Sequence, residues 1–139
     1  RVEDYGTQAK PNATSCVLRI SNGRRTALLV GDIEQAQEAR LVDSIGSGLK
    51  ADVLLIPHHG SKTSSSAAFL DAVSPAVGIV QSGYRNRYGH PDGTVLVRYT
   101  ERSSRVVNTP QCGAATWRSW QAQTVYCQRE WDRHYWRHF

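Results

Sequence analysis

Residues 54–66 read LLIPHHGSKTSSS, the end of an apolar run that begins at Ala51 and stops at Pro57. His58 and His59 follow side by side, and Gly60 opens a train of small hydroxyl residues. A short continuous apolar run bounded by turn residues reads as a strand buried on both faces. The two histidines then stand at its carboxyl end, where α/β folds present loop residues on a rigid base. Imidazoles there serve either as metal ligands or as ordinary hydrogen-bonded loop residues. The surrounding sequence has to separate the two.

Upstream, SCVLRI (15–20) and TALLV (26–30) flank SNGRR, and the Asn22-Gly23 pair is a tight-turn signal. These runs therefore predict a β-hairpin. Gly31-Asp32 follows at once, and Ile33, Ala36, Ala39 to Leu41 and Ile45 recur at helical spacing until Gly46 and Gly48 end the helix. Downstream, SSSAAFLDAV (64–73) reads as a serine-capped helix and PAVGIVQS (75–82) as another buried strand. After the loop GYRNRYGHP (83–91), DGTVLVRYTERS (92–103) reads as a helix, although its Val and Thr also suit a strand. RVVNT, AATWRSW and QTVYC complete the body as strands.

The order is β-β-α-β-α-β-α-β-β-β. The outer hairpins imply antiparallel pairing, so a mixed α/β (α+β) sandwich, a mixed sheet flanked by helices, suits it better than a doubly wound sheet. Residues 1–13 form a polar lead-in, 14–127 the body, and 128–139 a basic, aromatic tail in which Trp131, Tyr135 and His138 can make one stripe.

The length of 139 residues fits one domain with a real core. No apolar run approaches the roughly 18 residues of a membrane-spanning helix. The chain starts without Met or a leader-type sequence and has no Met anywhere, which suggests an excised piece of a longer protein. The net charge is +5, with arginines concentrated from Arg85 to Arg137. A basic face attracts nucleic acid or anionic lipid, and the alternative is a solvated surface. Cys16, Cys112 and Cys127 lack CxxC spacing. Cys112 and Cys127 flank candidate strands and can face each other, as an oxidising compartment would allow; three isolated thiols are the simpler alternative.

Three loops carry chemistry. Asp32 offers a hard oxygen and His59 a borderline nitrogen, a pair suited to zinc or manganese. A carboxylate can also bridge two metals in sites that activate water for phosphoryl transfer. The loop at 83–91 brings Asn86, Tyr88 and His90 together with Arg85 and Arg87, whose forked donors suit phosphate. Ser61, Thr63, Ser64 and Ser65 near a helix start also suit an anion. Taken singly, each has a plain alternative as a turn, a cap or a loop hydrogen bond. Their coincidence at strand ends is what favours a site.

In this order and spacing, LLVGDIE (28–34), LLIPHHGSKTSS (54–65) and NRYGHP (86–91) resemble the carboxyl-terminal metallo-β-lactamase-like domain of ComEC-type DNA-uptake (competence) proteins. The likeness runs from about Asn12 to Trp117, including NATSCVLRI and CGAA. It implies an αββα sandwich with a two-metal site between the sheets. It matches Asp32 to a bridging aspartate and His59 to a ligand of the second metal. His58 falls behind that ligand or faces substrate, and His90 matches a histidine for phosphate contact or proton transfer. The implied catalytic set is Asp32, His59 and His90. The implied phosphate contacts are His58, Ser61, Thr63, Ser64, Arg85, Asn86, Arg87 and Tyr88.

The resemblance further implies a manganese or zinc cofactor, DNA as partner, and a parent protein in the bacterial inner membrane with this domain on the periplasmic side. The parent domain would be a nuclease degrading the strand that is not imported. The HxHxDH cluster of that family is absent, however, and only 31 residues precede Asp32. Another mid-chain histidine ligand is missing too, and His134 and His138 lie in the tail outside the pattern. The expectation is therefore the second half of a domain, inactive by itself, with a two-ligand site that binds metal weakly or not at all. Its uncovered apolar sheet face would seek the upstream half, the membrane channel or a second copy of the chain. Two other functions fit the residues: a non-catalytic DNA-binding or scaffolding module, and a hydrolase of lipid or cell-wall phosphodiesters.

Overall fold

Asn22 closes the first hairpin by accepting the backbone N–H groups of Arg24 and Arg25 at 3.0 and 2.9 Å, with Gly23 in the left-handed region at φ +83°. The turn joins β1 (Leu18–Ser21) to β2 (Thr26–Leu29), paired antiparallel. These strands belong to a computed structural model that describes residues 11–132. Residues 1–10 of the lead-in, and Tyr135, His134 and His138 of the tail, lie outside the described residues.

Parallel strands β3 (Val53–Leu55), β4 (Val77–Val80) and β5 (Arg105–Asn108) continue the sheet in the order β1-β2-β3-β4-β5. The sheet is therefore mixed, with its antiparallel pair where the first hairpin demands it. Each parallel crossover carries a helix: α1 (Gln35–Ile45), α2 (Ala67–Val73) and α3 (Gly93–Glu101). Ser66 caps α2 and Asp92 caps α3, so the 92–103 stretch is helical over its central part, Gly93–Glu101, with Val95 and Tyr99 buried.

The pleat divides the strands between two cores. Leu28, Leu54, Ile56 and Val80 pack with Phe69, Leu70, Val73, Val95 and Tyr99 of the helices. Val53, Val77 and Val107 face the other way, onto Val125 and the Cys112–Cys127 pair. The last two strands, β6 (Ala115–Trp117) and β7 (Val125–Cys127), form their own antiparallel ribbon on that second face rather than extending the main sheet. Cys112 and Cys127 are bridged and Cys16 is free and exposed, so the picture of three isolated thiols gives way to one disulfide. Two short strands with little area of their own gain a covalent tie to the body.

The ribbon covers only part of its face. Farther along the strands Ala27, Leu29, Leu55 and Ile79 floor an open groove of about 900 Å³, walled on one side by Ala115 and Trp117. Among the described residues, this apolar face is covered only in part. It ends at the carboxyl edge of the sheet, beside His59 and His90.

One buried charge braces that edge. Glu38 on α1 is 0% exposed, and its carboxylate accepts the N–H groups of Ser65 and Ser66 at 2.5 and 2.7 Å. Arg98 donates to the Ser64 and Ser65 carbonyls, both at 3.0 Å. The Tyr99 hydroxyl lies 3.2 Å from Ser65 Oγ, and burial pushes its pKa far above the usual phenol value. Replacing Glu38 with Ala strands one buried and one partly buried donor, so we expect Glu38→Ala to lose about 3 kcal/mol in urea unfolding. The exposed Asp71→Ala, which breaks only a surface pair with Arg102, should lose about 1 kcal/mol or less.

Candidate metal and phosphate site

Neighbouring parallel strands β2 and β3 end at the same level, in the register Leu29↔Leu55, and release their next residues into adjacent loops. Gly31 turns the first loop at φ +57°, where a Cβ would press on Ser15 at 3.3 Å. Ser15 Oγ accepts the Asp32 N–H at 3.2 Å, and the His58 N–H donates to the Gly31 carbonyl at 3.0 Å. The two loops are thus stitched to each other.

The second loop is a single tight turn, Pro57–Gly60, in which His58 and His59 both take left-handed backbone at φ 49° and 56°. That conformation is uncommon for residues with a Cβ and persists where the surroundings enforce it. Gly60 sits so close to Pro91 that a Cβ would meet it at 2.6 Å, and its carbonyl accepts the Asp92 N–H at 2.9 Å. The third loop is therefore pinned onto the second.

This framework brings Asp32 and His59 together. His59 Nε2 stands 3.6 Å from Asp32 Oδ1, and both side chains are about half exposed. His59 Nδ1 lies 2.6 Å from the carbonyl of Gln81 at the end of β4. A carbonyl only accepts, so Nδ1 carries a proton, and in the neutral ring the lone pair is on Nε2, beside the carboxylate. Backbone anchoring of one imidazole nitrogen is the usual support for a ligating histidine. Two ligands of a tetrahedral ion at about 2.1 Å stand roughly 3.4 Å apart, so the pair fits two corners of a metal's shell. Among the described residues no group of three or more His, Cys, Asp or Glu side chains gathers around one point. Further ligands would have to come from outside these residues.

His58 turns away from that pair. Its Nε2 is 3.5 Å from the Asn12 amide, and its Nδ1 is 3.4 Å from Thr63 Oγ1 and 3.6 Å from Glu34 Oε1. Glu34 also accepts from Asn12 and Thr63, and it closes a capping box with Gln37 at the start of α1. Glu34 closes the LLVGDIE stretch and opens the predicted helix, and its contacts to His58 and Thr63 give it a place in the site that neither pattern assigned. The available signal was an acid two positions after Asp32.

His90 completes the cluster, its ring 6.2 Å from that of His58. Its Nδ1 is buried with no hydrogen-bond partner among the described residues. Burial lowers its pKa from the usual 6.5, and the neighbouring His58 and His59 lower it further, against a smaller opposing pull from Asp92. Asn86 spends its amide on the loop itself, accepting the His90 N–H at 2.9 Å and donating to the His90 and Gly83 carbonyls. Ser64 is buried, its hydroxyl donating to the Pro57 and Ser61 carbonyls, and Ser61 is buried beside Thr63. Of the serine and threonine hydroxyls expected to meet phosphate, Thr63 is the exposed one. Arg85, Arg87 and Tyr88 are exposed on the third loop.

The architecture defines a mixed α/β module with a polar site at the carboxyl ends of adjacent strands. No protein-family model matches the chain. It is similar to Competence protein ComA of Neisseria gonorrhoeae, 42% identical over 103 residues that make up 74% of this chain and 15% of that protein. It is 36% identical over 110 residues to ComE operon protein 3 of Bacillus subtilis, covering 79% of this chain and 14% of the relative. It is 39% identical over 102 residues to Recombination protein 2 of Haemophilus influenzae, 73% of this chain and 13% of the relative. The matched segment spans only 13–15% of the length of those three relatives.

Nitrogen-detected imidazole NMR checks the geometry. We expect His59 in the Nδ1–H form and His90 titrating below 6.5. Because unfolded His90 takes up its proton first, its contribution to stability is complete above pH 6.5 and declines as the pH falls below that value. An Nε2–H tautomer at His59, or His90 titrating above 6.5, contradicts this arrangement.

Proposed function

We propose that the chain is the carboxyl-terminal portion of a metallo-β-lactamase-like domain in a ComEC-type DNA-uptake protein, and that Asp32 and His59 are two ligands of a metal-dependent phosphodiesterase site acting on DNA. One observation carries this reading: a carboxylate and an imidazole lone pair meet at 3.6 Å, with the other imidazole nitrogen held by a carbonyl. Manganese or zinc bound there supplies Lewis-acid chemistry and lowers the pKa of water for attack on a phosphodiester. The chain's own residues do the rest. His90, neutral at pH 7 by the direction of its shift, would serve as a proton acceptor at the site. Arg85 and Arg87 supply cationic contacts for phosphate, while Glu34 and Thr63 hold His58 in place.

An upstream half of the domain would contribute the remaining ligands and cover Leu29, Leu55 and Ile79 on the groove floor. The much greater length of the relatives leaves room for it and for a membrane channel. No helix among the described residues is long and apolar enough to cross a membrane, so this segment would be held at the inner membrane by the rest of the protein. The Cys112–Cys127 bridge favours the oxidising, periplasmic side.

A second reading, a DNA-binding or scaffolding module without catalysis, draws on the two-ligand count among the described residues. Cleavage of labelled DNA in Mn²⁺, by the full-length parent carrying this segment, separates the two. Asp32→Ala and His59→Ala should each lower the rate at least about a hundredfold, the upper range for disturbed metal sites. Unchanged cleavage in both variants, or salt-sensitive DNA binding with no cleavage by the parent, supports the second reading. Faster turnover of small lipid-type phosphodiesters than of DNA would redirect the substrate.

A further inference from the structure

The 83–91 loop presents a feature that phosphate binding does not use. Tyr84 and Tyr88 are 56% and 66% exposed on this loop, and Tyr88 lines the groove beside His59 and His90. Each has the adjacent arginine against its ring, Arg85 at 5.2 Å from the Tyr84 centroid and Arg87 at 4.8 Å from that of Tyr88. Tyr88 also lies nearly parallel to His90, 5.9 Å between centroids with 19° between planes. Beyond His90, the ring of His58 follows at 6.2 Å and that of His59 at 6.4 Å from His58. A series of rings thus leads from the exposed loop to the Asp32–His59 pair.

The exposure comes from a braced loop. Asn86 ties the turn at Gly83 and His90, and Pro91 is wedged against Gly60. A rigid loop that alternates Tyr and Arg has the parts of a single-strand platform, in which rings stack on bases and guanidinium groups follow the phosphates.

We infer that Tyr84 and Tyr88 are stacking rings for unpaired bases, and that the Gly83–His90 loop feeds one single DNA strand toward the Asp32–His59 pair. This rests on the reading of DNA as the substrate. It adds that the strand must be unpaired at the loop, because a paired base has both of its faces taken by its neighbours in the duplex.

Fluorescence anisotropy in excess chelator tests it, since stacking requires no metal. The probes are a single-stranded oligonucleotide, an abasic strand of the same length, and the duplex. The protein should bind the single strand more tightly than the abasic strand. Tyr88→Ala and Tyr84→Ala should each weaken single-strand binding about tenfold and leave abasic binding within about twofold, while Tyr88→Phe keeps the affinity of the unsubstituted protein. Equal binding of the base-bearing and abasic strands overturns the inference. So does equal loss on both strands in the alanine variants, a Tyr88→Phe variant as weak as Tyr88→Ala, or a preference for duplex. Failure of the metal-site reading would appear in metal content and cleavage and would leave these ratios unchanged.

Discussion

The parallel pairing of β2 with β3 is the constraint on which the site depends. Opposed as Leu29↔Leu55, the two strands end together, and Asp32 and His59 emerge three and four residues later from neighbouring loops. A slip of one residue would turn Leu28 and Leu54 out of the helix-facing core and leave the loops out of step. The hydrogen bond from His58 to the Gly31 carbonyl and that from Asp32 to Ser15 convert this register into side-chain geometry. The two left-handed histidines are the local cost. The packing of Gly60 against Pro91 and the grip of Glu38 on Ser65 and Ser66 offset it.

Much of this was legible in the chain because the signals are local. Asn22-Gly23 specifies a hairpin, Ser66 and Asp92 mark helix starts, and an apolar run halted by Pro57 places the histidines at a strand end. Asp32 and His59 are readable as a pair because both follow buried strands. The residues that escaped notice act at a distance. Glu38 looks like an ordinary charge on an amphipathic helix, yet it is buried because its donors lie 27 and 28 residues away. Glu34 is masked by its capping role, which is real and which it combines with contacts to His58 and Thr63. Asn86 and Ser64 carry the polar atoms a phosphate site needs, but the loops use those atoms for their own closure.

The second face of the sheet was harder to foresee, because three late strands give no hint of which sheet they join. The ribbon of β6 and β7, tied by Cys112–Cys127, protects Val53, Val77 and Val107 and leaves Leu29, Leu55 and Ile79 lining an open groove. The apolar floor runs directly into the polar site. A segment that covered the floor would also be placed to reach Asp32 and His59, so completing the core and completing the ligand set become one event under the proposed function.

The proposed function requires that the Asp32–His59 pair hold a metal. Metal content by mass spectrometry, after equilibration with Mn²⁺ or Zn²⁺ and removal of the free ion, measures it directly on the protein, Asp32→Ala and His59→Ala. Metal is expected in the unsubstituted protein, at a level set by how many further ligands are present, and is expected to be lost in both variants. Metal retained by both variants, or none bound even by the full-length parent, would contradict the proposed function.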